Sequence, residues 1–257
     1  VLLGNGSDEV LDLIFRTFCE PGAEEVLLLP PTYGMYGVLA KLNNIQIKEV
    51  PLNQDFLPDI NGILTAVSAT TKVIFVCSPN NPSGNAVPME LIKTLLDGFN
   101  GIVVVDEAYV DFSEEESALS LLKDYPQLLV CQTFSKAYGL AGIRLGMCFA
   151  HPSVIDYFNK IKPPYNVNAL SQEQALARLA DYKTVQEQVG LLIEERKKLD
   201  KALIKFDFIV KIYPSDANFL LMVVDDADKR YNQFLAAGVV LRNRSRLQGC
   251  KNTLRVT

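Results

Sequence analysis

Residues 133–146 read TFSKAYGLAGIRLG, and they follow the apolar run 128–131. The glycines of this turn let the backbone come close to a ligand. Lys136 stands in the turn, with Ser135 beside it and Arg144 eight positions further on. A lysine must lose a proton before it attacks a carbonyl carbon, and nearby positive charge favours that loss. Because Arg144 and Ser135 can also bind a phosphate, the pattern predicts a nucleophilic lysine beside a phosphate site rather than a solvated lysine in a loop.

The composition limits the class of protein and its partners. The chain has 257 residues, of which 49% are hydrophobic, and a formal net charge of -5. This length allows a large α/β core with a smaller unit beside it. The mild acidity, without any basic run, argues against a nucleic-acid partner. No apolar stretch approaches the roughly 20 residues of a membrane span, so we expect no membrane partner.

The five cysteines and the single histidine narrow the chemistry further. The cysteines are scattered and show no Cys-x-x-Cys spacing, which predicts reduced, buried thiols in a cytoplasmic protein rather than disulfides or a zinc site. His151 precedes a proline and is expected in a strand-to-helix turn without a chemical role. One histidine excludes a multi-histidine metal site and argues against a Ser-His-Asp triad. We therefore expect no metal, and a lysine as the reactive group.

Short apolar runs alternate with helical patterns over the first part of the chain. The predicted strands are residues 26–29, 46–50, 73–77, 102–105, 128–131 and 145–149, and the predicted helices are residues 8–19, 59–67 and 88–99. Continuous apolar strands separated by helices predict a mostly parallel sheet with both faces covered. Ligands of such sheets bind at the carboxyl ends of the strands.

The pattern changes after the Lys-Pro-Pro segment 162–164. Residues 171–206 predict one long helix, kinked near Gly190, and they are followed by short strands and one more helix. The later strands are predicted at residues 208–212, 218–224, 239–241 and 253–257, and the helix at 228–237. We thus expect a large domain over residues 1–165 and, over residues 166–257, an interdomain helix with a small α+β domain. Because the chain starts without methionine and stops inside an apolar run, we also expect it to be part of a longer protein.

Residues 4–9, GNGSDE, open the first predicted helix. Backbone N–H groups at a helix start can bind a phosphate. Glu9 stands where a dinucleotide-binding fingerprint would need its third glycine, so that class is excluded. An ordinary N-cap at Ser7 or Asp8 is the alternative interpretation.

Three further loops follow predicted strands and carry polar or aromatic side chains. Asp106 comes directly after the buried run 102–105, where a carboxylate needs a partner such as a protonated ring nitrogen, and Tyr109 lies close by. A simple N-cap is the alternative for Asp106. The rigid loop 78–84, SPNNPSG, can present an amide, unless it is only a turn. In residues 30–36, PPTYGMY, one of two tyrosines can cover a flat ring, although packing is the commoner fate of a tyrosine.

Together these loops offer a phosphate cradle, a carboxylate for a ring nitrogen, an aromatic plate, an amide and a hydroxyl for a ring oxygen, and an amine. This set of groups is complementary to pyridoxal 5'-phosphate (PLP). The sequence therefore predicts PLP as the cofactor.

The same segments carry a family resemblance that extends over essentially the whole chain. The chain resembles the fold-type I, aspartate-aminotransferase-like enzymes and, among them, the histidinol-phosphate aminotransferase subgroup. The segments that carry the likeness are FCEPG (18–22), PPTYGMY (30–36), VCSPNNP (76–82), FSKAYGLAGIR (134–144) and LRVT (254–257). The resemblance implies the PLP-dependent transferase fold.

The resemblance also assigns a role to each cofactor residue. Lys136 would bond to the cofactor and then carry the proton, and Asp106 would keep the ring nitrogen protonated. Asn81 and Tyr109 would hydrogen-bond the ring oxygen, which makes Tyr109 part of the catalytic set. Tyr33 would stack on the cofactor ring. The cofactor phosphate would be bound by Ser7, Asp8, Ser135 and Arg144.

Substrate binding is expected in the C-terminal part of the chain. Arg255 lies in an apolar run, where an unpaired guanidinium is costly, so it needs an anion from the ligand or from an internal carboxylate. The resemblance assigns Arg255 and Arg242 to the substrate's anionic group. Arg244 and Arg246 lie so close in sequence that the choice of the second arginine stays open.

The implied activity is amino-group transfer between L-histidinol phosphate and 2-oxoglutarate in histidine biosynthesis, by a homodimer. In the family, an N-terminal arm that would precede Val1 supplies a tyrosine to the partner subunit's cofactor, and a final helix would follow Thr257. The alternatives are an aromatic amino acid aminotransferase, a phosphothreonine decarboxylase, or a non-catalytic PLP-binding regulatory module. Lys136 and Asp106 do not exclude the last, because a binding module can keep both.

Overall fold

The computed structural model describes residues 1–257, which form two β-sheets with flanking helices. The larger sheet has seven strands in the order β1-β7-β6-β5-β4-β2-β3. Strands β2 to β6 are parallel to one another, whereas β7 runs antiparallel to both of its neighbours. The strands are β1 (Leu2–Asn5), β2 (Glu25–Leu28), β3 (Gln46–Glu49), β4 (Thr71–Cys77), β5 (Ile102–Asp106), β6 (Leu128–Thr133) and β7 (Leu145–Phe149). This confirms the predicted mostly parallel sheet.

Helices cover both faces of this sheet, and the alternation of side chains along each strand creates two cores. In β4, Val73, Phe75 and Cys77 belong to a core of 22 buried residues, while Ile74 and Val76 belong to a core of 17 on the other face. The helices of this part are α1 (Gly6–Phe18), α2 (Met35–Leu42), α3 (Ile60–Ala66), α4 (Met89–Gly98) and α5 (Pro152–Ile161).

The C-terminal part begins with α6 (Ala169–Ala180) and α7 (Tyr182–Leu203). The prediction of one long helix kinked near Gly190 is wrong, because the break falls at Asp181. The backbone of Asp181 leaves the helical region (φ -102°, ψ 38°), and its carboxylate accepts a hydrogen bond from the Thr184 hydroxyl at 2.7 Å. A short acidic side chain competes in this way for local donors, whereas a glycine inside a helix only lowers its stability. The boundary that we predict at residue 165 lies between α5 and α6.

An antiparallel four-stranded sheet in the order β10-β11-β9-β8 completes the chain. The predicted strand at residues 239–241 is wrong, since pairing begins only at Arg242. Gly238, with φ +81°, and Val239, whose N–H bonds to the Phe234 carbonyl at 2.8 Å, still belong to the cap of the preceding helix. The elements are β8 (Ile209–Ile212), β9 (Leu220–Val224), α8 (Ala227–Ala236), β10 (Arg242–Asn243) and β11 (Thr253–Val256).

Other expectations are met or extended by the structure. All five cysteines are buried and unpaired, and His151 caps α5 through its ring nitrogen. The sequence did not predict β1 or α2, which have only four and eight residues and are therefore too short for a clear pattern. No helix has both the length and the apolar character that a membrane span requires.

Candidate active site

A cleft of about 290 Å³ opens at the carboxyl ends of β4, β5 and β6. The start of α1 forms one side, and the β10–β11 hairpin of the smaller sheet closes the other. Every residue that the sequence predicts for the site lines this cleft. The lining residues are Ser7, Asp8, Tyr33, Cys77, Asn81, Asp106, Ala108, Tyr109, Thr133, Ser135, Lys136, Ala141, Arg144, Arg242, Arg244 and Arg255.

Lys136 lies three residues beyond the end of β6 and extends into the cleft, with its Nζ 5.2 Å from the centroid of the Tyr109 ring. The residue is open to solvent at the cleft mouth, but the walls remove part of its hydration. This desolvation lowers the pKa of the Lys136 ammonium, and the positive charge of Arg255 lowers it further, against the opposing effect of Asp106. A lowered pKa increases the fraction of neutral, nucleophilic amine at a given pH.

Asp106 is the last residue of β5 and is only 2% exposed. Its Oδ2 accepts a hydrogen bond from the Tyr36 hydroxyl at 2.7 Å, and its Oδ1 accepts one from the Ala108 N–H at 3.2 Å. Burial raises the pKa of the Asp106 carboxyl to about 6, although the Tyr36 hydrogen bond opposes that shift. The Ala108 contact shows that the local capping interpretation is partly right. The capping contact does not neutralise the charge, however, and the buried Asp106 carboxylate faces the cleft without a cation paired to it.

The two candidate tyrosines of residues 30–36 have different positions. Tyr33 lines the cleft, and its hydroxyl donates a hydrogen bond to Asp8 at 2.9 Å. Tyr36 is fully buried below the cleft and stacks on Phe75 with 4.9 Å between ring centroids. Tyr33 is therefore the tyrosine that can cover a ligand in the cleft. The contact of Tyr36 with Asp106 was not predicted from the sequence.

The other end of the cleft is built for an anion. Asn5 is the N-cap of α1, so the alternative of a cap at Ser7 or Asp8 is wrong, and both residues lie in the first turn. Arg144 has a left-handed backbone (φ 51°); its carbonyl accepts the Gly6 N–H at 3.0 Å, and its Nη2 lies 3.6 Å from Asp8 Oδ2. Gly6 has φ +80°, which other residues rarely adopt, and a Cβ there would lie 2.5 Å from the Arg144 Nη2 and displace it. A helix start beside a guanidinium favours a phosphate.

Three arginines line the wall opposite this cradle. Arg255 donates from Nη1 to Asn81 Oδ1 at 2.7 Å, and its guanidinium lies 4.6 Å from the centroid of Phe219. Arg242 lies in β10, next to β11, and Arg244 directly follows β10. None of the three arginines forms an ion pair within the chain. The alternative of an internal carboxylate for Arg255 is therefore wrong. Arg246 is exposed and does not line the cleft, which separates it from Arg244.

Comparison with known proteins decides the family. A family model described as aminotransferase class I and II matches residues 1–257. The chain belongs to this aminotransferase family. It is 54% identical over its full length to a histidinol-phosphate aminotransferase of Flavobacterium johnsoniae, of which it covers 74%.

Solved structures give the same fold for this aminotransferase. The histidinol-phosphate aminotransferase of Clostridium acetobutylicum superposes with a TM-score of 0.92 at 23% identity, over 100% of this chain and 78% of the other. The enzyme of that name from Sinorhizobium meliloti, solved in complex with pyridoxal-5'-phosphate, gives 0.88 at 24% identity, over 99% and 71%. At these identities the likeness shows the fold alone.

The cofactor of the aminotransferase is PLP, and the cleft fits it. The Asp106 carboxylate is buried without a cation, the pKa of the Lys136 amine is lowered, and the start of α1 beside Arg144 suits a phosphate. These groups match the ring nitrogen, the aldehyde and the phosphate of PLP, in that order. When bound, PLP supplies an electron sink for negative charge that develops on the substrate.

Proposed function

We propose that this chain transfers the amino group between L-histidinol phosphate and 2-oxoglutarate, in histidine biosynthesis. The observation that carries the proposal is the wall of three arginines without acidic partners, which faces Lys136 across the cleft. Both amino donors of this reaction carry anionic groups: histidinol phosphate carries a phosphate, and glutamate carries two carboxylates. The relatives of this chain are histidinol-phosphate aminotransferases, and this supports histidinol phosphate as the phosphate-bearing donor.

In this proposal the cofactor is held at its ring and at its phosphate. Asp106 pairs with the ring nitrogen and keeps it protonated, and Tyr33 covers one face of the ring. Asn81 and Tyr109 donate to the ring oxygen; the Asn81 amide N–H groups are available because its carbonyl oxygen accepts from Arg255. The phosphate-binding groups are the N–H groups of the first turn of α1 and two side chains, namely Ser7, Asp8, Ser135 and Arg144.

Lys136 has two tasks in the proposed reaction. Its neutral amine would hold the cofactor covalently, and as a base it would move a proton between the two carbons that flank the transferred nitrogen. The lowered pKa supports both tasks, because the amine must be free of its proton to act as a base near neutral pH. Arg255 lowers the pKa of Lys136 and also lies at the substrate end of the cleft, so it links the basicity of Lys136 to substrate binding.

Arg255 and Arg242 receive the anionic group of each donor. They face each other in the register of β10 and β11, so that two guanidinium groups lie on one side of the hairpin. A planar guanidinium binds phosphate and carboxylate oxygens in the same bidentate manner. One arginine pair therefore serves the phosphate in one half of the reaction and a carboxylate in the other.

We further propose that the protein works as a cytoplasmic homodimer. Exposed apolar side chains are concentrated in and between α5, α6 and α7, which supports a protein interface there. They include Tyr157, Tyr165, Leu170, Leu176, Leu179, Tyr182, Leu191 and Leu192. Sedimentation of the PLP-loaded protein as a monomer with full turnover would contradict the homodimer.

The test of the proposed activity is turnover by the purified, PLP-loaded protein with histidinol phosphate and 2-oxoglutarate. A donor should change the visible absorbance of the bound cofactor, and an oxo acid should restore it. Phenylalanine as the better donor would favour the aromatic aminotransferase, and release of CO2 from phosphothreonine would favour the decarboxylase. Absence of the half-reaction with every donor would favour the regulatory module.

A further inference from the structure

Arg244 shares the side of the β10–β11 hairpin that carries Arg242 and Arg255. Arg242 and Arg255 are directly opposite in the antiparallel register, and the Arg244 N–H continues the ladder by bonding to the Thr253 carbonyl at 2.9 Å. Side chains two positions apart in an extended segment lie on the same face. Arg244 therefore joins the other two arginines at the cleft, which its position in the cleft lining bears out.

The protein gives the Arg244 side chain no partner. Its Nε is buried without a hydrogen-bond acceptor, and no acidic residue forms an ion pair with it. Burial lowers the pKa of Arg244, and the like charge of Arg242 lowers it further. The Arg255 Nε is also buried without an acceptor, but Arg255 differs from Arg244 in that its Nη1 donates to Asn81 and its guanidinium lies over Phe219. A partly desolvated guanidinium whose buried Nε lacks an acceptor is costly, so this arrangement favours an anion from outside the chain.

The two acidic residues of the cleft belong to its cofactor end. Asp8 faces Arg144 and accepts from Tyr33, and Asp106 accepts from Tyr36. With the PLP phosphate at Arg144 and the ring nitrogen at Asp106, three guanidinium groups remain for the substrate. One carboxylate is served by one or two arginines, whereas a phosphate offers three oxygens and about two negative charges.

We propose that Arg244 is a specificity-determining residue that makes the cleft select amino donors with two negative charges over donors with one. This inference rests on the proposed function, and it assigns that function a substrate class: a phosphate monoester or a dicarboxylate. Arg242 and Arg255 give affinity for any anionic donor. Arg244 adds a contact that is used only by a donor with a second negative charge or with a third phosphate oxygen. A monoanionic aromatic amino acid leaves Arg244 unpaired in the bound state, which weakens its binding.

The chain offers a matched control for this residue. Arg246 lies two positions further in the same loop, is exposed, and does not line the cleft. Arg244→Gln and Arg246→Gln remove the same charge from the same segment. The backbone at Arg244 is held by its own N–H and carbonyl, which bond to Thr253 and Leu247, so the loop conformation does not depend on the arginine side chain.

The experiment compares both variants with the wild type in the PLP-loaded form. For Arg244→Gln we expect kcat/KM with histidinol phosphate to fall about 10- to 100-fold, mostly through KM, and kcat/KM with phenylalanine to change far less. Arg246→Gln should behave as wild type with both donors. An equal loss with both donors, or no loss with histidinol phosphate, would overturn the proposal.

A binding measurement separates this inference from the proposed function. Glutarate carries two carboxylates and 3-phenylpropionate carries one, and neither has an amino group that can react. Titration calorimetry on the PLP-loaded protein should show that Arg244→Gln weakens glutarate about 10-fold or more and 3-phenylpropionate far less. If the wild type does not turn over histidinol phosphate, the proposed function fails, while the glutarate result still decides the role of Arg244. Equal weakening of both anions would reject the role whatever the substrate is.

Discussion

The hydroxyl of Tyr36 donates a 2.7 Å hydrogen bond to the carboxylate of Asp106, and both side chains are buried. The contact joins the first turn of α2 to the end of β5, two segments 70 positions apart in the sequence. It stabilises the ionised form of a carboxyl group whose pKa burial has raised to about 6. Tyr36 therefore helps to keep Asp106 charged in the pH range where a protonated ring nitrogen needs it.

We expect Tyr36→Phe to weaken PLP binding in a pH-dependent way. Without the donor, the pKa of Asp106 should rise further, by about one unit, so that more of the carboxyl is protonated between pH 6 and 7. Affinity for PLP should fall about 5-fold at pH 6, as the ionised fraction of Asp106 does, and approach the wild-type value near pH 9. The measurement is the Kd of PLP for the cofactor-free protein across this range.

Tyr125→Phe is the matched control for that variant. The Tyr125 hydroxyl also donates to a carboxylate, Asp97 at 2.9 Å, but this pair is exposed and far from the cleft. We expect the control to leave the pH profile of PLP binding unchanged. A pH-independent loss of affinity in Tyr36→Phe, equal at pH 6 and pH 9, would mean that Tyr36 only packs against Phe75.

Asp106→Asn should stabilise the cofactor-free chain and abolish most of its activity. The folded-state pKa of about 6 lies above the ordinary value of 3.8, so the stability linked to Asp106 is fully present below pH 4 and is lost as pH rises through 6. A shift of two units corresponds to about 3 kcal/mol, which is an upper bound for the gain of the variant above pH 7. Chemical denaturation at pH 4 and pH 8 measures the gain, which should disappear at the lower pH.

The same variant should lose orders of magnitude in transamination rate, because an amide cannot hold the ring nitrogen in its protonated form. Activity and unfolding are measured on one sample. A variant that loses stability at pH 8 but keeps its rate would mean that Asp106 only caps the local turn through Ala108.

Lys136→Ala should abolish transamination and leave part of the PLP affinity, since the ring and phosphate contacts do not involve this side chain. Lys136→Arg is the companion variant: it keeps the positive charge but cannot lose its proton near neutral pH. Both variants should be inactive, and only wild type should retain PLP after borohydride treatment and unfolding. Turnover within about tenfold of wild type in either variant would rule out the role of Lys136.

The residues at strand ends could be predicted because each one interrupts or follows a buried apolar run. Asp106 and Lys136 stand out in the sequence for this reason, and the parallel sheet brings them to one edge. The role of Tyr36 could not be predicted, because it depends on the packing of α2 against the sheet. The choice between Arg244 and Arg246 could not be made from the sequence, because Arg242, Arg244 and Arg246 are two positions apart and strand alternation puts all three on one face. Only the end of β10 at Asn243 and the turn that begins at Ser245 take Arg246 away from the cleft.

Arg255→Gln should weaken histidinol phosphate and glutamate together, and it should also raise the pKa of Lys136. Arg255 is the largest charge effect that lowers that pKa, so its removal shifts the pH at which Lys136 captures PLP upward. Loss of a bidentate contact to a desolvated anion costs about 2 to 5 kcal/mol, which predicts a fall of about 30- to 5,000-fold in kcat/KM for both donors. Arg246→Gln, which removes an exposed charge outside the cleft, should change neither quantity.

An unchanged kcat/KM for both donors in Arg255→Gln would refute the assignment of Arg255 to the substrate. A lower melting temperature with an unshifted pH profile would instead show that its contacts with Asn81 and Phe219 only stabilise the hairpin against the larger sheet.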